Sequence, residues 1–313
     1  MILRPIIRPV VGPIIRAVTE AGSNWSPMAL FAAGEQGAWY DPSDLSTLFQ
    51  NSAGTTPVTA LGQPVGLMLD KRFGLARGPE LVTNGGFDDD IAGWGSYGVW
   101  TAGSAEWVNG AISVTTSSYQ GAAHPLYSLK VGGRYELRFT VVSADVNALR
   151  GRLFVSKDTP TNPGSTPLVN RDDLVPGSYV VHFVATQTAH TIGLSSYNSS
   201  GVVVWDNISV RELLGNHASQ PTATARPTLQ AGNKIDYDGV DDKLTTTFPD
   251  LGSNVTIARS VPGTGASILT GQTIGAGAWD DATDHHGLLI INRALTAAET
   301  ARVTAWANTR AVV

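Results

Sequence analysis

Between residues 111 and 210 apolar and polar positions alternate in short bursts separated by Gly, Pro, Ser and Asn clusters. Period-two alternation over 4–8 residues is the pattern of a half-buried strand. It predicts strands at 111–116, 134–142, 152–156, 178–185, 190–194 and 202–210. In the second of these, Tyr135, Leu137, Phe139 and Val141 share one face, while Arg134, Glu136, Arg138 and Thr140 point away. Such a series of strands and turns reads as an antiparallel sandwich. Outside it the pattern is sparser. Residues 58–61 and 65–69 read as short strands around a Gly-Gln-Pro turn, and 234–238 and 243–248 flank the turn at Gly239–Asp242. From Phe248 to Gly287 the expected strands are short and glycine-rich. A turn or helix start is expected at Asp41–Asp44, where Asp or Ser can cap residues 45–49. The one convincing helix is 296–308: Thr296 and Glu299 form a capping box, and Leu295, Val303 and Trp306 supply an apolar face.

Composition narrows the classes. Charged residues make up 15% of the 313, below the ~25% usual in soluble domains. A net charge of -5 without any Lys/Arg cluster argues against nucleic-acid binding, which needs concentrated positive charge. With 0 cysteines, disulfides, thiolate metal sites and cysteine nucleophiles are excluded. The first 25 residues are apolar and weakly basic, but Pro5, Pro9 and Pro13 interrupt any signal-peptide core or membrane helix. They read as an extended arm. Arg4, Pro5, Ile6, Arg8, Pro9, Ile14 and Ile15 would dock it on a partner, because so apolar a segment is a solubility liability when free. Packing on its own chain is the plainer alternative.

Several short motifs resemble known families. Residues 37–50 (GAWYDPSDLSTLFQ) with 53–58 (AGTTPV) resemble phage structural and tail proteins. The segments 215–218 (GNHA), 237–242 (YDGVDD) and 292–299 (NRALTAAE), in that order, resemble laminin-G/concanavalin-like sandwiches of phage and bacterial proteins. Between 78 and 213, Asn84-Gly-Gly-Phe87 followed by Gly93-Trp94, and the closing Asp206–Val210, resemble family-4/9-type carbohydrate-binding jelly rolls. The resemblance implies a mostly β fold with two antiparallel β-sandwich or jelly-roll domains, one inserted in the other, an N-terminal arm and a short C-terminal helix. The arm is 1–25, the discontinuous laminin-G-like domain 26–77 plus 214–313, and the inserted jelly roll 78–213.

Sugar binding needs aromatic faces for the pyranose C–H surface and a few polar groups for its hydroxyls. Tyr97, Trp100, Trp107, Tyr119, Tyr197 and Asn198 are the candidates, about half of which would serve as core instead, while Phe87 and Trp94 read as core. The jelly-roll resemblance implies a structural calcium near the first and last strands, with Asp88 and Asp206 as ligands; a polar turn with a hydrogen-bonded Asp is the competing reading. No cofactor is required. No hydrolase elbow, zinc helix or phosphate loop is present, and the dense polar run Asp280, Asp281, Asp284, His285, His286 reads as a solvated loop. The expectation is therefore a non-enzymatic phage virion protein, made without a signal peptide and carried at the tail tip or baseplate. It would contact other virion proteins through its arm, form a homo-oligomer (trimeric by analogy with tail appendages), bind host-surface glycans, and neither bind nucleic acid nor insert in a membrane. A non-adhesive head, neck or baseplate assembly protein is the main alternative; a tail-associated polysaccharide-degrading enzyme is another.

Overall fold

A computed structural model describes residues 25–96, 104–117, 121–157, 167–198 and 200–311. The chain is mostly β. Its first strands are β1 (Gly37–Tyr40), β2 (Leu48–Phe49) and β3 (Leu67–Met68). Ten more follow: β4 (Gly95–Ser96), β5 (Ser104–Trp107), β6 (Ile112–Ser117), β7 (Ala122–Leu126), β8 (Arg134–Ala144), β9 (Gly151–Ser156), β10 (Pro167–Leu174), β11 (Gly177–Val184), β12 (His190–Ser196) and β13 (Ser200–Glu212). The chain closes with β14 (Ala218–Ser219), β15 (Thr228–Gln230), β16 (Lys234–Asp236), β17 (Leu244–Phe248), β18 (Gly252–Val261), β19 (Gly265–Ile274), β20 (Gly277–Asp281), β21 (Leu288–Ile291) and the helix α1 (Ala297–Ala311).

Two five-stranded sheets, β11-β8-β13-β6-β5 and β10-β9-β12-β7-β4, are built entirely from the middle of the chain. Every residue of the core between them, from Val82 to Val210, comes from the same stretch. Phe139, Trp205, Leu137 and Leu153 fill it, each from the inward side of its strand, together with Phe87 from the turn before β4. Beside a two-stranded sheet of β15 and β16, two further sheets, β1-β21-β18-β19 and β2-β3-β14-β17-β20, mix both ends of the chain. Their core joins Tyr40, Leu48 and Met68 to Ile235, Phe248, Val255 and Ile290. Strand β21 is apolar at all four positions because it is covered twice: Leu288 and Ile290 face this core, while Leu289 and Ile291 lie under Val303, Trp306 and Ala307 of the helix. A run without alternation is what burial on both faces requires.

The helix starts where its capping box predicts. The Thr296 hydroxyl accepts the Glu299 N–H at 3.2 Å, and the Glu299 carboxylate accepts the Thr296 N–H at 2.8 Å. Asp44 likewise caps the single turn Leu45–Thr47 by accepting the Ser46 N–H at 3.2 Å. All six strands expected within 111–210 are present within two or three residues of their limits. Two expectations need correction. Residues 58–61 form no strand; Val58 is tied to the Leu48 carbonyl as part of a loop. Between Phe248 and Gly287 the strands are not short: β18 and β19 form a hairpin of ten residues each, held by its ladder and by the helix that covers it, despite its glycines.

Candidate functional site

The outward face of β8 organises the surface of the middle sandwich. Alternation puts Arg134, Glu136, Arg138 and Thr140 on that face, but they meet three different environments. Around Thr140 and Arg138 the face is open. It forms the floor of a groove of about 620 Å³ whose lining includes Arg138, Thr140, Ser178, Val180, Ser209 and Arg211. These positions follow from register: β11 sets Ser178 opposite Thr140 and Val180 opposite Arg138, and β13 sets Ser209 on the other side of Arg138. The Thr140 and Ser178 hydroxyls lie 3.1 Å apart.

One wall is made by the segment before β4, which lies beside β13. Leu81 donates its N–H to the Val210 carbonyl at 3.0 Å, and Ile208 donates to Gly85 at 2.8 Å. The Asn84–Phe87 turn makes this approach possible. Asn84 takes φ 54°, which Asn tolerates, and a side chain on Gly85 would collide with the Ile208 carbonyl at 1.8 Å. Opposite it, β13 bulges between Asp206 and Ser209, with Asn207 at φ 54°. Glu80 locks the wall: its carboxylate accepts the Val210 N–H at 2.8 Å, the Ser209 hydroxyl at 2.5 Å and the Arg211 guanidinium at 3.1 Å. Partial burial would raise the Glu80 carboxyl, but these bonds outweigh it and hold it below the ordinary range.

At Glu136 the face is closed by the other sandwich. Arg77 forks onto the carboxylate at 2.6 and 2.9 Å, and Arg138 adds a third bond at 2.5 Å. His182 stands behind, its Nε2 3.6 Å from Glu136 and its Nδ1 3.1 Å from the Gly54 carbonyl, with Phe49 edge-on at 5.1 Å. Only glycine fits at Gly54, where φ is 69° and a Cβ would lie 2.5 Å from the His182 ring. Burial pushes the Glu136 carboxyl up, while His182, Arg77 and Arg138 pull harder and leave it well below the usual carboxylate range. A smaller hollow of about 280 Å³, which shares Arg138 and Val180 with the groove, ends there against Phe49, Pro57 and Arg77.

The arrangement presents hydroxyls, two guanidinium forks and an amide (Asn207) around Val180, with Val82, Phe139, Tyr179 and Ile208 also in the lining. Such a lining can hydrogen-bond the hydroxyls of an elongated polyhydroxylated ligand while offering apolar surface to its C–H faces. Both carboxyls at its border are held below normal and firmly bonded, so neither is poised to carry a proton at neutral pH as a general acid would be.

Of the residues expected to bind sugar, Tyr97, Trp100 and Tyr119 lie outside the described residues, as do Arg4, Pro5, Ile6, Arg8, Pro9, Ile14 and Ile15 of the arm. Trp107 is 44% exposed on β5, with its indole N–H donated to the Phe87 carbonyl at 2.7 Å. Tyr197 is stacked by the Arg150 guanidinium at 4.1 Å, and Asn198 donates to the Asn147 carbonyl at 2.7 Å. Register separates these two places: Trp107 pairs with Ile112 at one end of β6, whereas Tyr197 and Asn198 precede Ser200, opposite Ser117 at the other. Phe87 and Trp94 are core, their rings tilted against each other with centroids 5.4 Å apart.

Asp88 is exposed, and Asp206 bonds the N–H of Asn207 at 2.6 Å and its side-chain amide at 2.9 Å. Among the described residues, the acidic group close enough to share an ion is instead Asp238, Asp241 and Asp242. There the Asp238 carboxylate accepts the N–H groups of Val240, Asp241 and Asp242, which accounts for the cluster as a turn. The run from Asp280 to His286 is not a solvated loop. Asp281, His285 and His286 are buried. Asp281 accepts from Arg259 at 2.7 Å, faces His285 at 3.1 Å and takes the Tyr237 hydroxyl at 3.3 Å. The cluster is a core network that ties β20 to β18. The groove itself was not foreseen as a site; its polar residues were legible only as outward strand positions, and Tyr179, which also lines it, carried no motif to mark it.

No family model matches the chain, and no curated protein matches it. Among solved structures, a family-4 carbohydrate-binding module described as "CBM4 structure and function" is 14% identical, with 42% of this chain and 99% of that one covered at a TM-score of 0.31. The CBM22-1 xylan-binding domain of Paenibacillus barcinonensis Xyn10C is 11% identical over 44% of this chain and 96% of its own, TM-score 0.32. The enzymatically active domain of bacteriophage CBA120 tailspike protein 4 is 11% identical over 42% of this chain but 21% of its own, TM-score 0.31. Scores this low establish neither a shared site nor a shared ligand. Among the described residues no helix is long and apolar enough to cross a membrane.

Proposed function

We propose that this chain is a non-enzymatic bacteriophage virion component that adheres to host-surface glycans, with residues 78–213 as its inserted binding module. The observation that carries the binding half is the open polar groove on β8, β11 and β13, floored by Val180 and ringed by Arg138, Thr140, Ser178, Ser209 and Arg211. The virion half rests on the phage-like motifs at 37–50 and 53–58, with the laminin-G/concanavalin-like segments 215–218, 237–242 and 292–299, a kind found in phage and bacterial proteins, beside them. The arm 1–25 would dock on the particle, Tyr97, Trp100 and Tyr119 would supply stacking faces, and a structural calcium would belong near Asp88 and Asp206. Weak single sites would be strengthened by several copies on one particle, in a homo-oligomer such as a trimer. The test is immunogold electron microscopy of purified particles with antibody against 78–213, paired with inhibition of adsorption by the isolated protein. Gold at the tail tip and blocked adsorption are expected; no gold on intact or denatured particles would remove the virion reading.

One observation favours an assembly role instead. Val146 and Leu149 stand 87% and 62% exposed in the β8–β9 loop, beside Tyr197. An apolar tip of this kind suits a subunit contact. Gold on the capsid or neck, with adsorption unaffected, would favour it. Reducing ends released from host polysaccharide would favour the degrading enzyme.

A further inference from the structure

Beyond Glu136 the outward face of β8 meets a third environment, at Arg134. There the two sandwiches enclose a second cleft of about 580 Å³, within the ~300–1,000 Å³ range of small-molecule sites. Its lining includes Arg134, Lys130, Asn216, Ser219, Thr245 and Thr247. Arg134 is only 6% exposed, and its Nη1 is buried without a hydrogen-bond partner. No carboxylate lies within ion-pair distance of it among the described residues. Its two neighbours on the same side show the contrast: Glu136 binds Arg77 and Arg138, and Arg72, also on the cleft, is matched by Asp70 at 3.1 Å.

The remaining polar groups do not supply a counter-charge. His217 accepts the Asp70 N–H on Nδ1 and faces the Leu213 carbonyl through Nε2 at 3.2 Å, which fixes a neutral tautomer. Glu212 also borders the cleft but forms no ion pair there. With Arg72 already balanced by Asp70, Lys130 and Arg134 outnumber it. A buried guanidinium with no partner is strongly destabilising unless something else neutralises it. Five donors in a planar fork match the oxygens of a carboxylate or phosphate. Lys130 and the Ser219 and Thr247 hydroxyls supply further donors around it, whereas the Thr245 hydroxyl donates to Asp280 at 2.6 Å and the Asn216 amide to the Gly37 carbonyl at 2.8 Å.

We propose that the cleft between the two sandwiches is a binding site for a compact oxyanion, the carboxylate of an acidic sugar or a phosphate group, held by Arg134. It is distinct from the β8–β11–β13 groove and stands whether or not that groove binds glycan. The experiment is calorimetric titration of the full chain, at constant ionic strength, with glucuronate, inorganic phosphate and neutral glucose. Saturable binding of glucuronate, phosphate or both is expected, and none of glucose; the stronger of the two anions identifies the source. Arg134→Met should abolish binding, and without ligand should melt no lower than wild type, because it removes an uncompensated charge. Lys130→Gln, at an exposed position, should weaken binding several-fold while folding normally, and Glu212→Gln should tighten it. These two variants carry the test if Arg134→Met does not fold. Failure of both anions to bind wild type would overturn the proposal. So would equal binding by Arg134→Met or, should that variant not fold, unchanged binding by both others. A lowered melting temperature of Glu212→Gln with unchanged anion binding would make Glu212 the counter-ion of Arg134, with the same consequence.

Discussion

The two sandwiches share an architecture but not a way of being built. In the middle one, all strands and core residues come from one stretch of chain, and its central side chain, Trp205, packs against strands encoded within about a hundred residues of it. In the other, β1 finds its partner β21 across the whole intervening chain, pairing Gly37 with Ile291 and Tyr40 with Leu288. Tyr40 shows the dependence most sharply: its hydroxyl donates to the Asn216 carbonyl at 2.5 Å and lies 2.7 Å from the Thr246 hydroxyl. The core of that sandwich draws on both ends of the chain. The contrast explains how a module can be seated in a loop: insertion costs little when the ends lie close together, and here Arg77 and Leu213 form a bridge where the chain enters and leaves.

The hardest test of this contrast removes residues 214–313. The truncated chain should lose the flanking sandwich entirely, since sheet strands β14 and β17–β21 go with it, yet keep a protease-resistant core within 78–213. Loss of all resistance would mean that the middle sandwich depends on its host. Next in size, Trp205→Ala should cost about 3–5 kcal/mol, the usual range for truncating a fully buried large aromatic. Calorimetry should show that cost in the middle sandwich's transition and leave the other's in place; equal shifts in both would make the two a single cooperative unit.

The junction offers a smaller lever. Arg77→Ala removes the bidentate partner of Glu136 but leaves Arg138 bound to it. Because the Arg77 side chain is 38% exposed, about 1–2 kcal/mol is expected rather than the ~3–5 of a fully buried pair. Denaturant titration should then separate the two unfolding transitions further. If they stay as close as in wild type, the Arg77–Glu136 contact does not couple the sandwiches.

Acid should act on the same boundary with two opposite signs. Burial, then the charge of Arg134, pushes the His217 imidazole down to about 3, while the unfolded chain protonates near 6.5. Its contribution is fully present above pH 6.5 and is lost as the pH falls toward 3. Asp70 is raised by burial from 3.8 to about 6, so the folded chain keeps its proton longer, and stability falls as the pH rises from about 4 to 6. The two largely offset between pH 4 and 6. His217→Gln removes one of them, so the variant's unfolding free energy should gain on wild type as the pH falls from 7 to 4, by at most about 1.4 kcal/mol per pH unit. A difference that does not change with pH would show that His217 is not buried neutral. The smallest effect is at the C-terminal helix, where Thr296→Ala should cost about 1 kcal/mol by removing the cap on Glu299. It should appear only in the flanking sandwich's transition.

What was legible in the sequence follows the same division. Strands with one wet face, such as β8 and β13, announce themselves by alternation, and the helix by its capping box. Strand β7 (AAHPL) hides behind small residues and Pro125, whereas β12 (HTIGLSS), expected over 190–194, proves buried throughout although it carries Thr191, Ser195 and Ser196. Alternation also says which residues point outward without saying what meets them. Arg134, Glu136 and Arg138 are indistinguishable in the sequence, yet one is entombed without a partner, one is clamped by the loops around Gly54 and Arg77, and one borders an open groove. Those fates are decided by segments far away in the chain, which no local pattern encodes. The Asp280–His286 run reads as a solvated loop in the sequence for the same reason: the partners of Asp281, Arg259 on β18 and Tyr237 just after β16, arrive from elsewhere in the chain.

The most direct test of the binding account is calorimetric titration of the full chain with polysaccharide purified from the host surface, comparing wild type with the double variant Arg138→Ala/Arg211→Ala. Both side chains are about half exposed, and Glu136 and Glu80 keep other partners, so the variant should melt within about 1 kcal/mol of wild type. Saturable binding by wild type, reduced at least tenfold in the variant, is the expected result. Undiminished binding by the folded variant would contradict the assignment of the groove.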